Sequence, residues 1–399
     1  MEDTDGTYVC RGCGGASFDS LESFGRFPYA NIFPLQSQEV LDQHPLTVIV
    51  CRDCSLAQLD HFPDEASLYR DYIWTTRTSS SIDHYLHELL EKLAPQRSSD
   101  TALEIASNDG SFASMLRTRF DNVYAIDPAE NLTTQSNYSD VTIFCGLFSH
   151  ELLKAHPELR GQFKLIVARN VVAHVRSIRD FLRSARLCLC PGGRIYLEFH
   201  DADALVDLLQ FDSVYHEHQS FISLSSISRI ANLVGLKVVS TWLGPIGGGS
   251  RSVLLESSTC ALPRDVESIV SPKLDDWIDF RKAVDEYRLE LVSILSDLRR
   301  DPSLTIVGYG ASARSTTLLN FCDVAPFLNH MFDLAKVKHG RLWTGSTLVI
   351  RDPHTFDWTA VDVVVVFAWN FFDEIAAFLR GLGFKGRFLK VLPNRPALL

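Results

Sequence analysis

The chain has 399 residues, of which 46% are hydrophobic, so it is long enough to bury several cores, and two or three domains are expected. Acidic residues outnumber basic ones by 49 to 38, and the net charge of -11 argues against a general nucleic-acid-binding protein, which needs a basic surface. No apolar run approaches the roughly 20 residues that a membrane-spanning helix needs, and the first residues are acidic rather than signal-like. We therefore expect a cytoplasmic protein with no nucleic-acid or membrane partner.

Residues 1 to about 65 contain two CxxC pairs among aromatic, proline and glycine residues, a composition too rich in loops to build its own core. Two such pairs can place four thiolates around one tetrahedral zinc ion, and a segment this short commonly needs a metal for stability. Because four protein ligands leave no open position, the predicted zinc site is structural. Buried free thiols are the alternative, but they would not explain how the segment is ordered. The predicted ligands are Cys10, Cys13, Cys51 and Cys54.

After this segment, residues 78 to about 94 show helical periodicity behind Ser and Thr residues that favour a helix start. Between about 100 and 258, short apolar runs such as "FKLIVAR" and "GRIYLEF" alternate with helix-like segments, which predicts an α/β domain with a mostly parallel sheet. Residues 272 to 300 have amphipathic helical spacing, so we expect a connecting helix that covers one face. A second, smaller α/β unit follows.

The stretch "LEIASNDGSF", residues 103 to 112, predicts a strand, a small glycine-bearing turn and a helix, a geometry that lets backbone N–H groups approach a ligand. Glu104 and Asp109 would repel a pyrophosphate but suit a ligand with an amino group, a sulfonium charge and ribose hydroxyls. This favours S-adenosylmethionine over a dinucleotide, with a turn of purely structural role as the alternative. The next strand ends at Asp127, where a carboxylate can accept both ribose hydroxyls.

The segments that follow fit the same cofactor. The stretch "CGLFSHE" places Phe148 near the expected adenine, and "LCLCPGGRIYLEF" predicts a helix, a turn and a strand like those in the middle of a class I methyltransferase. The predicted cofactor-binding residues are Glu104, Ala106, Asn108, Asp109, Gly110, Asp127, Phe148 and Asn170.

The stretch "YHEH", residues 215 to 218, concentrates proton-handling side chains that a structural segment has little reason to carry. Methylation of carbon beside a ketone requires removal of an α-proton, and we predict His218 as the base. Glu217 would orient a neighbouring imidazole or neutralise the imidazolium formed, and Tyr215 and His174 would donate hydrogen bonds to the enolate. In a strand His216 and His218 would lie on one face, with Tyr215 and Glu217 on the opposite face. Because this would divide the cluster, a loop or tight turn is expected. A single histidine would more simply be a satisfied core residue, but four ionisable residues in succession favour a site.

These motifs together resemble the sugar C-methyltransferase family of antibiotic biosynthesis, whose members methylate carbon 3 of thymidine-diphosphate 4-keto-6-deoxy sugars. The resemblance is carried by the paired CxxC motifs with "FPYANIF", then "EIASNDG", "NVVAHV", "YHEH", "GGGSRS", "GYGASARSTTLLN" and "AWNFFDEI", and it covers nearly the whole chain. By motif position, the family's catalytic base falls on His218, with Tyr215, Glu217 and His174 around it.

The resemblance also implies a three-part α/β protein. A zinc-binding N-terminal domain would span residues 1–77, a class I Rossmann-like methyltransferase domain that binds S-adenosylmethionine 78–271, and a C-terminal Rossmann-like acceptor-binding domain 272–399. The acceptor, a nucleotide-linked keto sugar or another natural-product intermediate, would lie between the last two domains. Tyr69 and Tyr72 match aromatic residues that help to close the family's site.

Three further residues are predicted to bind the acceptor. Arg251 beside the three glycines of "GGGSRS" would clamp an anionic group, with a simple hairpin turn as the alternative. Tyr309 and Arg314 lie in "GYGASARS", where Ser312 and Arg314-Ser315 replace the family's usual Pro and Lys-Gly. Because this departure falls where the nucleotide-sugar would be recognised, a non-sugar acceptor such as an indole stays open.

Two other functions compete with methyl transfer. "GYGASA" followed by Asp333 matches a loose dinucleotide fingerprint, which would suit an NAD(P)-dependent oxidoreductase, but the segment lacks a second set of hydride-handling residues. A non-catalytic zinc scaffold is the other alternative.

Overall fold

The computed structural model of the chain describes residues 8–35, 41–61, 80–133, 140–258 and 272–399. Tyr69 and Tyr72 lie outside the described residues, and so do the residues that end the first two predicted domains, 77 and 271. These boundaries stay a prediction. None of the helices within the described ranges is long and apolar enough to cross a membrane.

The N-terminal unit is built from short strands. They are β1 (Phe18–Ser20), β2 (Gly25–Phe27), β3 (His44–Leu46), β4 (Val48–Cys51) and β5 (Ala57–Leu59). β2 pairs with β3, and β4 lies between β1 and β5 with antiparallel pairing on both sides. Every residue of β4 is buried, as expected for a Val-Ile-Val run at the centre of a sheet.

The central unit alternates strands and helices. Its strands are β6 (Ser98–Ile105), β7 (Phe120–Asp127), β8 (Thr142–Cys145), β9 (Phe163–Arg169), β10 (Leu189–His200), β11 (Ser220–Phe221), β12 (Leu236–Gly244) and β13 (Ser250–Ser257). Its helices are α1 (Ser80–Leu93), α2 (Ser111–Leu116), α3 (Glu130–Thr133), α4 (His150–Ala155), α5 (Ile178–Cys188), α6 (Ala202–Asp207) and α7 (Leu224–Leu233).

Seven of these strands form one sheet in the order β12-β13-β10-β9-β6-β7-β8. The five strands from β10 to β8 are parallel, and β13 runs antiparallel to both of its neighbours. The buried hydrophobic residues of α5 recur at positions 178, 181, 182, 185 and 188, the spacing of a helix that presents one face to a sheet. This arrangement confirms the predicted Rossmann-like α/β domain.

The remaining strand, β11, joins the N-terminal sheet rather than the central one. Ser220 pairs with Gln58 and Phe221 with Ala57, so the N-terminal sheet has the order β1-β4-β5-β11. The edge of the N-terminal sheet is therefore closed by residues from the central unit, and the sheet is shared by the N-terminal and central units.

The C-terminal unit is a second, smaller α/β layer structure. Its strands are β14 (Ile306–Tyr309), β15 (His330–Phe332), β16 (Ile350–Arg351), β17 (Val363–Val366), β18 (Arg387–Lys390) and β19 (Ala397–Leu398), and its helices are α8 (Leu274–Arg299), α9 (Ala313–Cys322) and α10 (Phe372–Gly381). The sheet order is β16-β15-β14-β17-β18-β19, and only β19 runs antiparallel to its neighbour. Short 3-10 helices in the chain are Pro157–Leu159, Phe211–Ser213, Ile246–Gly248, Ala325–Phe327, Lys336–Lys338, Pro353–Thr355, Trp358–Ala360 and Trp369–Phe371.

Helix α8 joins the units through one large core, as its amphipathic spacing predicts. Trp277, Phe280, Val284 and Tyr287 on its buried face belong to the same hydrophobic cluster as residues of all three units. The cluster includes Phe24 and Leu46 of the N-terminal unit, Phe211 and Val214 of the central unit, and Val363 and Leu389 of the C-terminal sheet. Burial of this shared surface fixes the units against one another.

A glycine loop of the central unit packs against Trp369 of the C-terminal unit. Gly247 and Gly248 both have positive φ values, 65° and 87°. A Cβ atom on Gly248 would overlap the indole of Trp369, whereas a Cβ on Gly247 would meet no atom of the described residues within 4 Å. The two glycines therefore share a left-handed backbone conformation, but only Gly248 packs closely against Trp369.

Gly248→Ala is expected to lower the free energy of unfolding by about 2 to 4 kcal/mol, because overpacking against Trp369 adds to the left-handed strain. Gly247→Ala, the matched control, carries the strain alone and should cost only about 1 kcal/mol. Denaturant titrations of both variants measure the difference. Equal losses would show that the Trp369 contact does not hold the loop.

Candidate active site and zinc centre

The four predicted zinc ligands come together in the N-terminal unit. Their sulfur atoms all lie within 4.8 Å of one another, with 3.6 Å between Cys10 and Cys54 and 3.6 Å between Cys13 and Cys51. Tetrahedral coordination with zinc–sulfur bonds of about 2.3 Å requires sulfur atoms about 3.8 Å apart, so the cluster fits zinc. All four ligands come from the protein, which makes the role structural, as predicted.

The first CxxC pair forms a tight turn that points backbone N–H groups at sulfur. The amide of Gly12 lies 3.4 Å from the sulfur of Cys10, and the amide of Gly15 lies 3.3 Å from that of Cys13. Gly14 adopts a φ of 85°, which this turn requires and glycine tolerates. Such N–H groups stabilise thiolate charge and orient the ligands.

The predicted cofactor loop lies between β6 and α2 and is shaped by left-handed backbone. Ala106, Asn108 and Gly110 have φ values of 57°, 55° and 72°. Asp127, at the end of the neighbouring strand β7, accepts hydrogen bonds from the amides of Asn108 at 2.7 Å and Ala129 at 2.8 Å. These bonds hold the loop open at the carboxyl ends of the parallel strands, where ligands of such sheets bind.

Glu104 is buried at the base of this loop. Its Oε1 pairs with Arg169 at 3.2 Å, while Oε2 has no hydrogen-bond partner within the described part of the chain. Burial raises the pKa of Glu104 to about 7. An unpartnered buried carboxylate oxygen suits the amino group of S-adenosylmethionine, so the residues fit the cofactor.

The other predicted cofactor residues take up positions around the same edge. Asp109 accepts the amide and hydroxyl of Ser111 at the start of α2. Phe148 is partly buried and packs edge-on against Phe181 with ring centroids 5.4 Å apart. Asn170 follows β9 with a φ of 51°, and its amide donates to the carbonyl of Glu198 at 2.7 Å.

Residues 215–218, which we call the acid–base turn, follow the 3-10 helix Phe211–Ser213 and precede β11. The segment is a turn, as predicted from the way a strand would divide these side chains between two faces. Tyr215, His216 and Glu217 are buried, while His218 is half-buried. His218 is therefore the most exposed residue of the turn.

Two hydrogen bonds define the protonation of His218. Its Nδ1 lies 2.8 Å from the carbonyl oxygen of Ser213, and its Nε2 lies 2.8 Å from the hydroxyl of Tyr215. A carbonyl can only accept, so Nδ1 carries the proton and Nε2 presents a lone pair. Burial holds the pKa of His218 well below 6.5, and the nearby His174, His200 and Arg314 lower it further. The ring is neutral near pH 7, as a base must be.

His174 does not have the predicted role of enolate donor. Its ring lies 5.0 Å from that of His218, but its Nδ1 donates to the backbone carbonyl of Glu217 at 2.8 Å. Burial lowers the pKa of His174 to about 4. A neutral imidazole has a single N–H, so its Nε2 is an acceptor and cannot donate to an enolate.

Glu217 also differs from its predicted role. Its carboxylate faces the N-terminal unit and accepts from the amide Nδ2 of Asn31 at 2.7 Å, so it orients no imidazole through its side chain. Burial raises the pKa of Glu217 to about 7. The correction follows from the tight turn, which points successive side chains in different directions.

The acid–base turn and the next residue, Gln219, contact the N-terminal unit at three more points. His216 Nε2 donates to the carbonyl of Pro45 at 3.0 Å. The carbonyl of Gln219 accepts from Arg11 Nη1 at 3.1 Å and from the amide of Leu59 at 3.0 Å. Arg11 lies inside the first CxxC pair, so the zinc centre and the turn are mechanically connected.

Two of the predicted acceptor-binding residues are held elsewhere. The guanidinium of Arg251 pairs with Asp201 at 2.7 Å and with Asp203 at 3.4 Å, so two carboxylates already neutralise it and it does not clamp an anion. Tyr309 is 3% exposed and belongs to the core with Val307 and Val366 on the sheet face that packs against α10. It does not reach the acid–base turn.

Arg314 lies near the acid–base turn but is occupied by protein groups. Its Nε and Nη2 donate to both carboxylate oxygens of Asp212, at 3.0 and 2.8 Å, and its Nη1 donates to the carbonyl of Gly247. The predicted contact to the acceptor is thus replaced by a contact between units. Asp333 of the rival dinucleotide motif is likewise paired, to Lys338 at 3.1 Å.

Sequence reasoning missed several residues of the site. His200 is the last residue of β10 and lies close enough to His218 to influence its pKa. Its Nε2 donates to Gln210 at 2.6 Å. Arg169 and Asn31 form the buried pairs with Glu104 and Glu217. The partners of each pair are far apart in sequence, so no local motif links them.

Comparisons with known proteins agree with this geometry. Three family models match in chain order: a zinc binding domain at residues 10–69, a methyltransferase domain at 77–241, and a C-methyltransferase C-terminal domain at 264–393. The C-methyltransferase NovU of Streptomyces niveus is 26% identical over 96% of this chain and 95% of its own. The order of the three domains and the match to NovU over nearly the whole chain support the resemblance to the sugar C-methyltransferase family. The chain is itself a C-methyltransferase that depends on S-adenosylmethionine and has a zinc-binding domain with a four-cysteine cluster.

Solved structures resemble the C-methyltransferase only weakly. The DhpI–SAH complex is 18% identical over 46% of this chain and 89% of that chain, with a TM-score of 0.36. A Burkholderia thailandensis 1,6-didemethyltoxoflavin-N1-methyltransferase is 11% identical over 44% of this chain and 77% of that chain, with a TM-score of 0.34. The resemblance to the family does not depend on either.

Proposed function

We propose that the C-methyltransferase methylates a carbon α to the ketone of a nucleotide-linked 4-keto-deoxy sugar in natural-product biosynthesis, with His218 as the base. The observation that carries this proposal is the lone pair on His218 Nε2, fixed by the bond from Nδ1 to Ser213. Such a base is needed when a C–H bond must be ionised before the carbon can accept a methyl group.

The acceptor's C–H bond would approach Nε2 from the accessible side of His218. The hydroxyl of Tyr215 must then turn away from Nε2, and this frees its proton to bond the oxygen where negative charge develops. The C–H electron pair becomes the enolate, and the proton goes to Nε2. Tyr215 thus keeps its predicted role as an enolate donor.

When bound, S-adenosylmethionine supplies an electrophilic methyl carbon. Glu104, Asp127 and the left-handed loop between them would hold it at the strand ends, with Glu104 Oε2 toward its amino group. The new C–C bond would form at the enolate carbon as the donor's carbon–sulfur bond breaks, with its electron pair left on sulfur. The protein's part in this step is to hold the two carbons close and in line.

Loss of the acceptor's α-proton to solvent tests the base without methyl transfer. With S-adenosylhomocysteine bound in D2O, we expect thymidine-diphosphate 4-keto-6-deoxy sugars to exchange this proton, with a rate that changes little between about pH 6 and 8. The expectation follows from the low pKa of His218, since the base loses its lone pair only when protonated, well below 6.5. NMR of the recovered sugar measures exchange. Methylation of an indole with no exchange in any keto sugar would overturn the proposal.

A further inference from the structure

Arg314 and Asp212 form a buried ion pair between the C-terminal and central units. Two donors of the guanidinium meet both carboxylate oxygens, and the side chains are only 17% and 2% exposed. Trp369 donates from its indole to Asp212 Oδ2 at 2.8 Å, and its ring lies 5.0 Å from the guanidinium carbon. Bidentate geometry and a third donor fix the carboxylate in one position.

A second contact from the same helix holds the chain two residues further on. Thr317 of α9 donates from its hydroxyl to the carbonyl of Val214 at 2.9 Å. Arg314 also lies on α9, so one helix holds Asp212 on one side of Ser213 and Val214 on the other. The carbonyl of Ser213, which accepts from His218 Nδ1, is therefore fixed by the C-terminal unit.

We propose that Arg314, Asp212 and Thr317 are positioning residues that fix the tautomer of His218 through the carbonyl of Ser213. With this carbonyl in place, the proton stays on Nδ1 and the lone pair on Nε2. Without it, the proton returns to Nε2, the tautomer that neutral histidine favours in water, and the base is lost. The catalytic consequence rests on the proposed function, but the tautomer itself does not.

Nitrogen NMR of the protein labelled with 15N-histidine reads the tautomer directly. At about pH 8, where histidine is neutral, we expect His218 to carry its proton on Nδ1 in the unchanged chain and predominantly on Nε2 in Arg314→Gln and Asp212→Asn. The spectrum of His218→Ala identifies the signal. The same variants should slow methyl transfer at least about tenfold while binding S-adenosylhomocysteine normally.

Arg281→Lys is the matched control, because Arg281 of α8 also joins two units, through the carbonyls of Glu22 and Ser23, without touching residues 212 to 218. It should leave the tautomer unchanged. If the ion-pair variants fail to fold, Thr317→Val decides, since it keeps the side-chain shape and removes only the bond to Val214. A tautomer that is unchanged in Thr317→Val and in every folded ion-pair variant overturns the proposal. A changed tautomer in an enzyme that methylates no keto sugar would uphold the positioning and reject only the proposed function.

Discussion

His218→Ala should lower the rate of methyl transfer at least about a hundredfold, the scale expected when a general base is removed. Affinity for S-adenosylhomocysteine should stay near that of the unchanged chain, because the cofactor loop and Asp127 belong to other elements than the acid–base turn. Single-turnover kinetics with labelled S-adenosylmethionine measure the transfer step, and calorimetry measures binding.

His216→Gln provides the control within the same turn. The ring of His216 donates to Pro45 of the N-terminal unit at 3.0 Å, and a glutamine can keep that bond. We expect this variant to retain most of the activity and to melt near the unchanged chain. If His218→Ala kept full turnover, the base would have to be another group, and the mechanism would need to be abandoned.

Removal of zinc should abolish methyl transfer while leaving cofactor binding largely intact. Without the metal the short N-terminal unit loses its main source of stability, since nothing then holds its two cysteine-bearing turns together. Asn31, Pro45 and Arg11 would then release the acid–base turn. The buried core that packs α1 and α2 on the central sheet is made of central-unit residues alone, so the cofactor loop keeps its support. We expect activity to fall at least about a hundredfold and affinity for S-adenosylhomocysteine to change less than about threefold.

Chelation followed by metal analysis, or the variant Cys51→Ser, creates the zinc-free protein. Cys190→Ser is the matched control, because Cys190 is a thiol of β10 outside the zinc cluster. Zinc added back should restore activity to the chelated protein. Full activity in a chain shown to hold no zinc would mean that the turn is positioned by the central unit alone.

The parts of the site that depend on neighbouring residues were predictable from the sequence. A CxxC pair fixes the geometry of its own turn, so the four zinc ligands could be named from spacing. The glycine-bearing loop after β6 and the turn at residues 215–218 follow in the same way from local backbone preferences. The alternation of strands and helices likewise predicted both α/β units.

The roles that depend on distant partners could not be predicted. Arg314 pairs with Asp212 and Arg251 with Asp201, and each pair forms only when separate elements pack together. His174 presents Nε2 as an acceptor because its Nδ1 donates to the backbone carbonyl of Glu217. Every residue has such a carbonyl, so the sequence does not reveal which one the imidazole will contact. A charged or aromatic residue in a motif shows what chemistry is possible, while the tertiary fold decides which group it serves.

The strand that closes the N-terminal sheet, β11, affects both the folding of the chain during synthesis and the design of chimeric enzymes. β5 leaves the ribosome long before Ser220 and Phe221, which pair with its open edge. Until then the nascent N-terminal segment has unpaired backbone groups that can pair with other chains. Grafting that segment onto another methyltransferase would leave the same edge bare. A successful chimera must therefore carry residues 219–221 with the metal-binding segment, as one inherited piece.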